Sequence, residues 1–261
     1  MTKLLLTTAA LIAITMSGAA SAADLPTPAP AYKAPPPPRA YSWTGCYLGG
    51  GGGYGMWTQY SLVTESTSGA VTAPTTNGGS GWFGQGQAGC DYQFTAPIFN
   101  AGVVVGLFGD YEGGSITGSS DFPGAVGSEK ESNSWAVGGR IGLLVTPRVL
   151  TYFDGGYTQA HFDQVNYNYA LAGGGFSGVS LAAHTYNGWF IGSGFEYAFD
   201  WLPVSGLFLK TEYRYSEYGS SNGDTVPLLG LPFGTNAALQ SQKATQMISS
   251  ELVWRFNWTG R

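Results

Sequence analysis

Leu207-Phe208-Leu209-Lys210-Thr211-Glu212-Tyr213-Arg214-Tyr215 decides how this chain folds. Successive side chains of a strand point to opposite faces. Lys210, Glu212 and Arg214 therefore share one face, and Leu207, Leu209, Tyr213 and Tyr215 share the other. Val103 to Glu112 repeats the pattern, with Asp110 and Glu112 in one phase and Leu107 and Tyr111 in the other. A soluble sandwich turns its charges to water and its aliphatic residues to a core. Here the apolar phase is rich in Leu, Tyr and Trp, and charges of both signs meet on the opposite face. That is the code of a closed barrel in a bilayer, apolar outward and polar inward.

The inward phase collects Asp110, Glu112, Arg140, Asp154, Glu196, Lys210, Glu212, Arg214, Glu251 and Arg255. Arg140 is the sole charge in a stretch of apolar residues and glycine, so it must find a carboxylate or suffer desolvation. Eight strands enclose a space that side chains can just fill. Two readings of the ten residues follow: a plug of ion pairs, or the lining of a narrow ion path. Paired carboxylates for acid–base catalysis are a third.

From Trp43 onward the alternation predicts an all-β chain of eight antiparallel strands in up-and-down order. They are Gly45–Trp57, Gly81–Phe94, Asn100–Glu112, Ser134–Val145, Val149–His161, Tyr186–Phe199, Val204–Tyr218 and Thr245–Trp258. Each is near the roughly 9–11 residues a tilted spanning strand needs. The connections alternate in length. Thr95-Ala96-Pro97-Ile98, Thr146-Pro147-Arg148 and Asp200-Trp201-Leu202-Pro203 are short, whereas 58–80, 113–133, 162–185 and 219–244 are long and rich in Gly, Ser, Thr and Asn. Short periplasmic turns and long extracellular loops are an outer-membrane pattern.

Residues 1–22 read as an export leader. Lys3 gives the positive start, Leu4 to Met16 the apolar stretch, and Ala20-Ser21-Ala22 the small-residue cleavage site. The apolar stretch is too short to span a bilayer, which takes about 20 residues. Residues 23–42 form a periplasmic linker, extended by Pro26, Pro28, Pro30 and Pro35 to Pro38. Residues 43–261 form the barrel domain.

Composition agrees. The chain has 41 Gly, 8 Trp, 16 Tyr and 14 Phe with only 10% charged residues, which suits interfacial aromatic girdles and close strand approach. Its formal charge is −5, and removing Lys3 with the leader makes it −6, which argues against a nucleic-acid partner. No cofactor is expected. Outer-membrane lipid and the barrel-assembly machinery are the expected partners, and a closed ring needs no second copy to cover an edge, so a monomer is expected.

Cys46 and Cys90 sit at the periplasmic ends of the first two strands, level with each other and in the outward phase, and predict a structural disulfide. Gly49 to Gly53 is no phosphate loop, because no Lys-Ser/Thr follows; on a strand it relieves crowding or permits a bend. His161 and His184 flank the third long loop, with Ser177 and Ser180 between them. A rim hydrolase or acyltransferase could use such residues, but Phe176-Ser177-Gly178-Val179-Ser180 lacks a G-x-S-x-G motif, and no catalytic residue is assigned. In the last strand Leu252, Trp254 and Phe256 alternate with Glu251 and Arg255. This resembles the terminal signal of bacterial barrels, with either Phe256 or Trp258 as its final aromatic.

Ala23-Asp24-Leu25-Pro26, Tyr41 to Gly50, Gly84 to Tyr92, Gly139-Arg140-Ile141-Gly142 and Thr211 to Tyr215, in that order and spacing, resemble the small outer-membrane β-barrel family of alphaproteobacteria. These are porin-like surface antigens related to the OmpA transmembrane domain. The resemblance implies an integral outer-membrane barrel with a structural or surface role and weak porin-like diffusion at most, with no enzyme activity and no cofactor. A lipid-modifying enzyme and a loop-mediated adhesin are the alternatives.

Overall fold

The computed structural model describes residues 42–65, 68–71, 73–97, 101–121, 124–170, 174–199, 206–219, 224–230 and 236–256. All belong to the second of two units, Met1–Arg39 and Ala40–Arg261. The leader, the proline-rich segment up to residue 41, Asp200 to Ser205 and Trp258 lie outside the described residues.

The strands are β1 (Gly45–Glu65), β2 (Thr75–Ala96), β3 (Ala101–Ser119), β4 (Ala125–Val126), β5 (Ser128–Thr146), β6 (Val149–Phe162), β7 (Val165–Tyr169), β8 (Phe176–Leu181), β9 (His184–Ala198), β10 (Leu207–Tyr218), β11 (Asp224–Leu229) and β12 (Ala237–Phe256). Eight of them form an antiparallel ring in the order β1-β2-β3-β5-β6-β9-β10-β12. The ring closes where β12 pairs with β1, from Cys46 opposite Phe256 to Glu65 opposite Ala237. Closure leaves the ring without a free edge, which a bilayer demands.

The exposed phase is that of a lipid-facing wall. Leu107, Phe153, Ile141, Ile191 and Leu252 all face outward. Above them runs a belt of Tyr54, Trp82, Tyr111, Trp135, Tyr157 and Trp189; below them runs another of Tyr92, Phe94, Tyr197, Phe199, Trp254 and Phe256. Ten residues of β2 separate Trp82 from Tyr92. At about 3.3 Å per residue and a tilt near 40° this is roughly 25 Å, the height of the apolar band of such barrels.

Several strands are longer than the alternation predicts, chiefly at the end that carries the long loops, whereas β9 stops at Ala198 and the described part of β10 begins at Leu207. β1 continues to Glu65, β2 begins at Thr75, β3 reaches Ser119, and β12 begins at Ala237. The long loops also hold four short strands. Above Tyr218, where β10 stops opposite Lys243, β11 takes its place against Ala238–Ser241 of β12. β8 pairs with β11, β7 with β8, and β4 with β7. The loops thus raise the wall by a second tier beyond the upper belt. Val165, Tyr167, Leu181, Val226 and Leu228 of this tier pack inward on Trp57, Phe162, Tyr186 and Tyr218.

The glycine run sits where the seam closes. A Cβ on Gly51 would lie 2.6 Å from the Cα of Glu251, and one on Gly53 would lie 2.7 Å from the ring of Phe83. A Cβ on Gly50, in the outward phase, would meet only the Gln85 carbonyl, at an ordinary 3.9 Å. The inward glycines let β1 approach β12 closely.

Candidate functional site

The barrel interior is a stack of ion clusters. All ten residues of the inward phase are buried: Asp110, Glu112, Arg140, Asp154, Glu196, Lys210, Glu212, Arg214, Glu251 and Arg255. Asp91, Glu129, Glu131 and Lys243 are buried with them.

The lowest cluster alternates two cations with two anions. Arg140 donates from Nε to Asp91 at 2.9 Å, also pairs with it through Nη2, and donates from Nη1 to Glu196 at 2.5 Å. Arg255 donates to the same carboxylates, at 2.5 Å to Asp91 and 2.6 Å to Glu196. Tyr47 sits beside both guanidinium groups, with ring centres 4.7 and 4.8 Å away. The register sets Arg140 opposite Asp154, yet Arg140 turns instead to Asp91 and Glu196. Both Asp154 oxygens lack a hydrogen-bond donor among the described residues. Trp43 closes the bottom: it is fully buried, its backbone N–H donates to Gln93 at 2.8 Å, and its ring lies 4.9 Å from that of Phe208.

The middle cluster joins β3, β10 and β12. Lys210 Nζ lies 2.7 Å from Glu212 and 3.3 Å from Glu251, and donates to Gln87 at 2.9 Å. Arg214 forks onto Asp110 at 2.7 and 3.1 Å and donates from Nε to Glu212 at 2.9 Å. Ser134 donates to Glu112 at 2.9 Å and Tyr152 to Glu212 at 3.0 Å. Charge-assisted and forked bonds of this kind are what offsets removing so many charges from water.

The upper cluster lies in the second tier, beyond the upper belt. Lys243 donates to Glu129 at 2.7 Å and Gln59 at 2.5 Å, among the rings of Phe162, Trp57 and Tyr186 at 3.9, 4.9 and 5.2 Å. Burial, reinforced by the negative charge of Glu112 and Glu129, pushes the Glu131 carboxyl up to about 8; Lys243 opposes this. The same burial lowers the Lys243 ammonium from its usual range.

Cys46 and Cys90 are directly opposite on β1 and β2 and are joined as a disulfide. His161 faces outward with Nδ1 2.8 Å from Thr185 Oγ1, and His184 packs edge-on to Tyr186. Ser177 donates to the Tyr167 carbonyl at 2.7 Å. Among the described residues no three His, Cys, Asp or Glu side chains are grouped to hold a metal ion.

Sequence reasoning overlooked four members of the stack. Asp91 was legible: it shares the phase of Gln85 and Gln87, opposite to that of Cys90. Lys243 continues the phase of Glu251 and Arg255 upward, into what reads as loop. Glu129 and Glu131 were hidden by an irregularity of β5 between Glu131 and Asn133, which reverses the phase counted from Arg140.

The sequence model of the outer membrane protein β-barrel domain matches residues 8–256. The chain belongs to the outer membrane β-barrel family. It is 30% identical over 219 residues to the 31 kDa outer-membrane immunogenic protein of Brucella melitensis, spanning 81% of this chain and 86% of that one. The same figures hold for its Brucella suis counterpart. Among solved structures it is similar to Neisserial surface protein A (13% identity, TM-score 0.37, covering 82% of this chain and 98% of that one). It is also similar to Ail of Yersinia pestis (13%, 0.32, 78% and 99%). This member of the family is thus an integral protein of the cell outer membrane.

Proposed function

We propose that this barrel is a sealed, non-catalytic scaffold for surface display. The observation that carries the reading is the filled lumen. Trp43 stops the periplasmic end, two clusters of paired charges fill the middle, and an apolar layer around Trp57, Phe162 and Tyr186 stops the extracellular end. An eight-stranded interior of this kind has room for its own side chains and little else. Apart from Asp154, the charges of these two clusters are bonded to one another, not held apart around a path.

The non-catalytic part rests on the candidate residues. His161 is engaged with Thr185, and Ser177 spends its hydroxyl hydrogen on a backbone carbonyl, so neither is poised as base or nucleophile for the other. Recognition then belongs to the extracellular tier, the part of a rigid scaffold where binding residues gather. The closed ring supports a monomer surrounded by lipid and inserted by the assembly machinery, with β12 forming the last seam.

The test is conductance of the refolded protein in a planar bilayer, with folding verified by a heat-sensitive gel shift. Wild type is expected to be silent, and Arg140→Ala to be silent or to leak irregularly. Steady, discrete wild-type openings whose size changes in Arg140→Ala would replace the sealed scaffold with a diffusion pore. An unchanged envelope lipid profile in a His161→Ala, His184→Ala double variant is expected alongside.

A further inference from the structure

On the outer face of β5, β6 and β9, at and just above the upper belt, lies a patch whose chemistry is not that of lipid. Its lower row is aromatic: Trp135, Tyr157 and Trp189, with the rings of Trp135 and Tyr157 5.5 Å apart. Its upper row is polar and neutral. Gln159 stands opposite Asn187 in register and Tyr157 opposite Trp189. The two rows are tied together: Trp135 Nε1 donates to Gln159 at 3.0 Å, and Asn187 Oδ1 accepts from Tyr157 at 2.6 Å and Gln159 at 2.7 Å. These bonds fix the orientation of exposed side chains that would otherwise be mobile.

We infer that this patch docks uncharged saccharide, namely the sugar portion of outer-leaflet glycolipid. A sugar ring offers C–H faces and a rim of hydroxyls that both donate and accept. Broad rings suit the faces, and carboxamides, with donor and acceptor on one group, suit the rim. Place agrees with chemistry, because the patch begins at the belt and rises from it, at the level where lipid gives way to headgroup sugar.

Charge favours sugar over phosphate. Five of the chain's cations, Arg140, Lys210, Arg214, Lys243 and Arg255, are buried in the lumen. Among the described residues of the extracellular half, Lys130 is the one cation on the outward side, while Glu65, Asp121, Asp163 and Glu217 are at least partly exposed there. Phosphate recognition uses Arg and Lys, and this exterior has sent its Arg and Lys inside. The inference is independent of whether the lumen conducts.

Isothermal titration calorimetry on the refolded protein in micelles tests it. The probes are a neutral core oligosaccharide from rough lipopolysaccharide, dephosphorylated and freed of its acidic sugar, and lipid A, which has the phosphates but no core sugar. The oligosaccharide is expected to bind saturably and lipid A to give only the heat of mixing. Trp135→Ala and Gln159→Leu, each still showing the heat-sensitive gel shift, should weaken oligosaccharide binding about tenfold or more, the equivalent of roughly 1.4 kcal/mol. Absence of saturable oligosaccharide binding, equal binding by the variants, or equal binding of lipid A would each overturn the proposal.

Discussion

Glu131 shows how one buried carboxyl ties stability to pH. Its folded value is near 8 against an ordinary carboxylate value of 4.5, so the folded chain keeps a proton that the unfolded chain gives up. Stability from this group is full below about pH 4.5 and is lost as pH rises through about 8. Glu112, Glu129, Lys243 and Tyr218 face it, and Lys243 is the one cation among them. Thermal unfolding between pH 5 and 9 should show the midpoint falling for wild type. Glu131→Gln should flatten that fall. A wild-type midpoint that rises over this range would refute the account. Arg140 poses the converse case. Arg140→Ala leaves Asp91 and Glu196 with Arg255 alone, and breaking a buried pair costs about 3–5 kcal/mol. Urea unfolding in micelles measures this, and Arg140→Met should be no better, because the carboxylates stay behind.

The strands show what alternation can and cannot reveal. The eight ring strands were legible because lipid on one side and paired charge on the other enforce a strict period over the bilayer's thickness. Above the belt the outside is water, outward residues no longer need to be apolar, and the period loses its contrast. That is why the upper reaches of β1, β2, β3 and β12 read as loop, and why the short β7, β8 and β11 escaped notice. β11 even contains Pro227, which ordinarily argues against a strand. The ion clusters were legible by phase as far as the strands were, but partner choice was not: nothing in the chain marks Arg140 for Asp91 in place of Asp154. The seam offers a test at this scale. Gly51→Val should obstruct closure of β1 on β12 and reduce the fraction migrating as folded on an unheated gel, whereas Gly50→Ala should fold like wild type. Equal folding of the two would refute the close-approach role of the inward glycine. Cys46→Ser should cost about 2–4 kcal/mol by freeing the loop between β1 and β2, read as a lower urea midpoint.

At the scale of the whole molecule, the barrel separates its two surfaces by chemistry. Five of its seven described Lys and Arg side chains point inward, where they hold the wall together, and the outer face is left mostly to aromatic rings, amides, hydroxyls and a few carboxylates. The second tier extends that wall beyond the upper belt, so the long-loop end of the barrel is itself a built structure. Limited proteolysis of intact cells should therefore cut within segments that connect its strands, and leave β7, β8 and β11 intact.

The lowest cluster has a consequence for descent with modification. Arg140 and Arg255 each hold both Asp91 and Glu196, so a change at any one of the four takes one of two partners from two opposite charges at once. A lineage can alter this quartet only through coordinated replacements, whereas the outer rim can drift one residue at a time. The interior is thereby expected to change only as a block, and single replacements are expected to be tolerated on the outer rim.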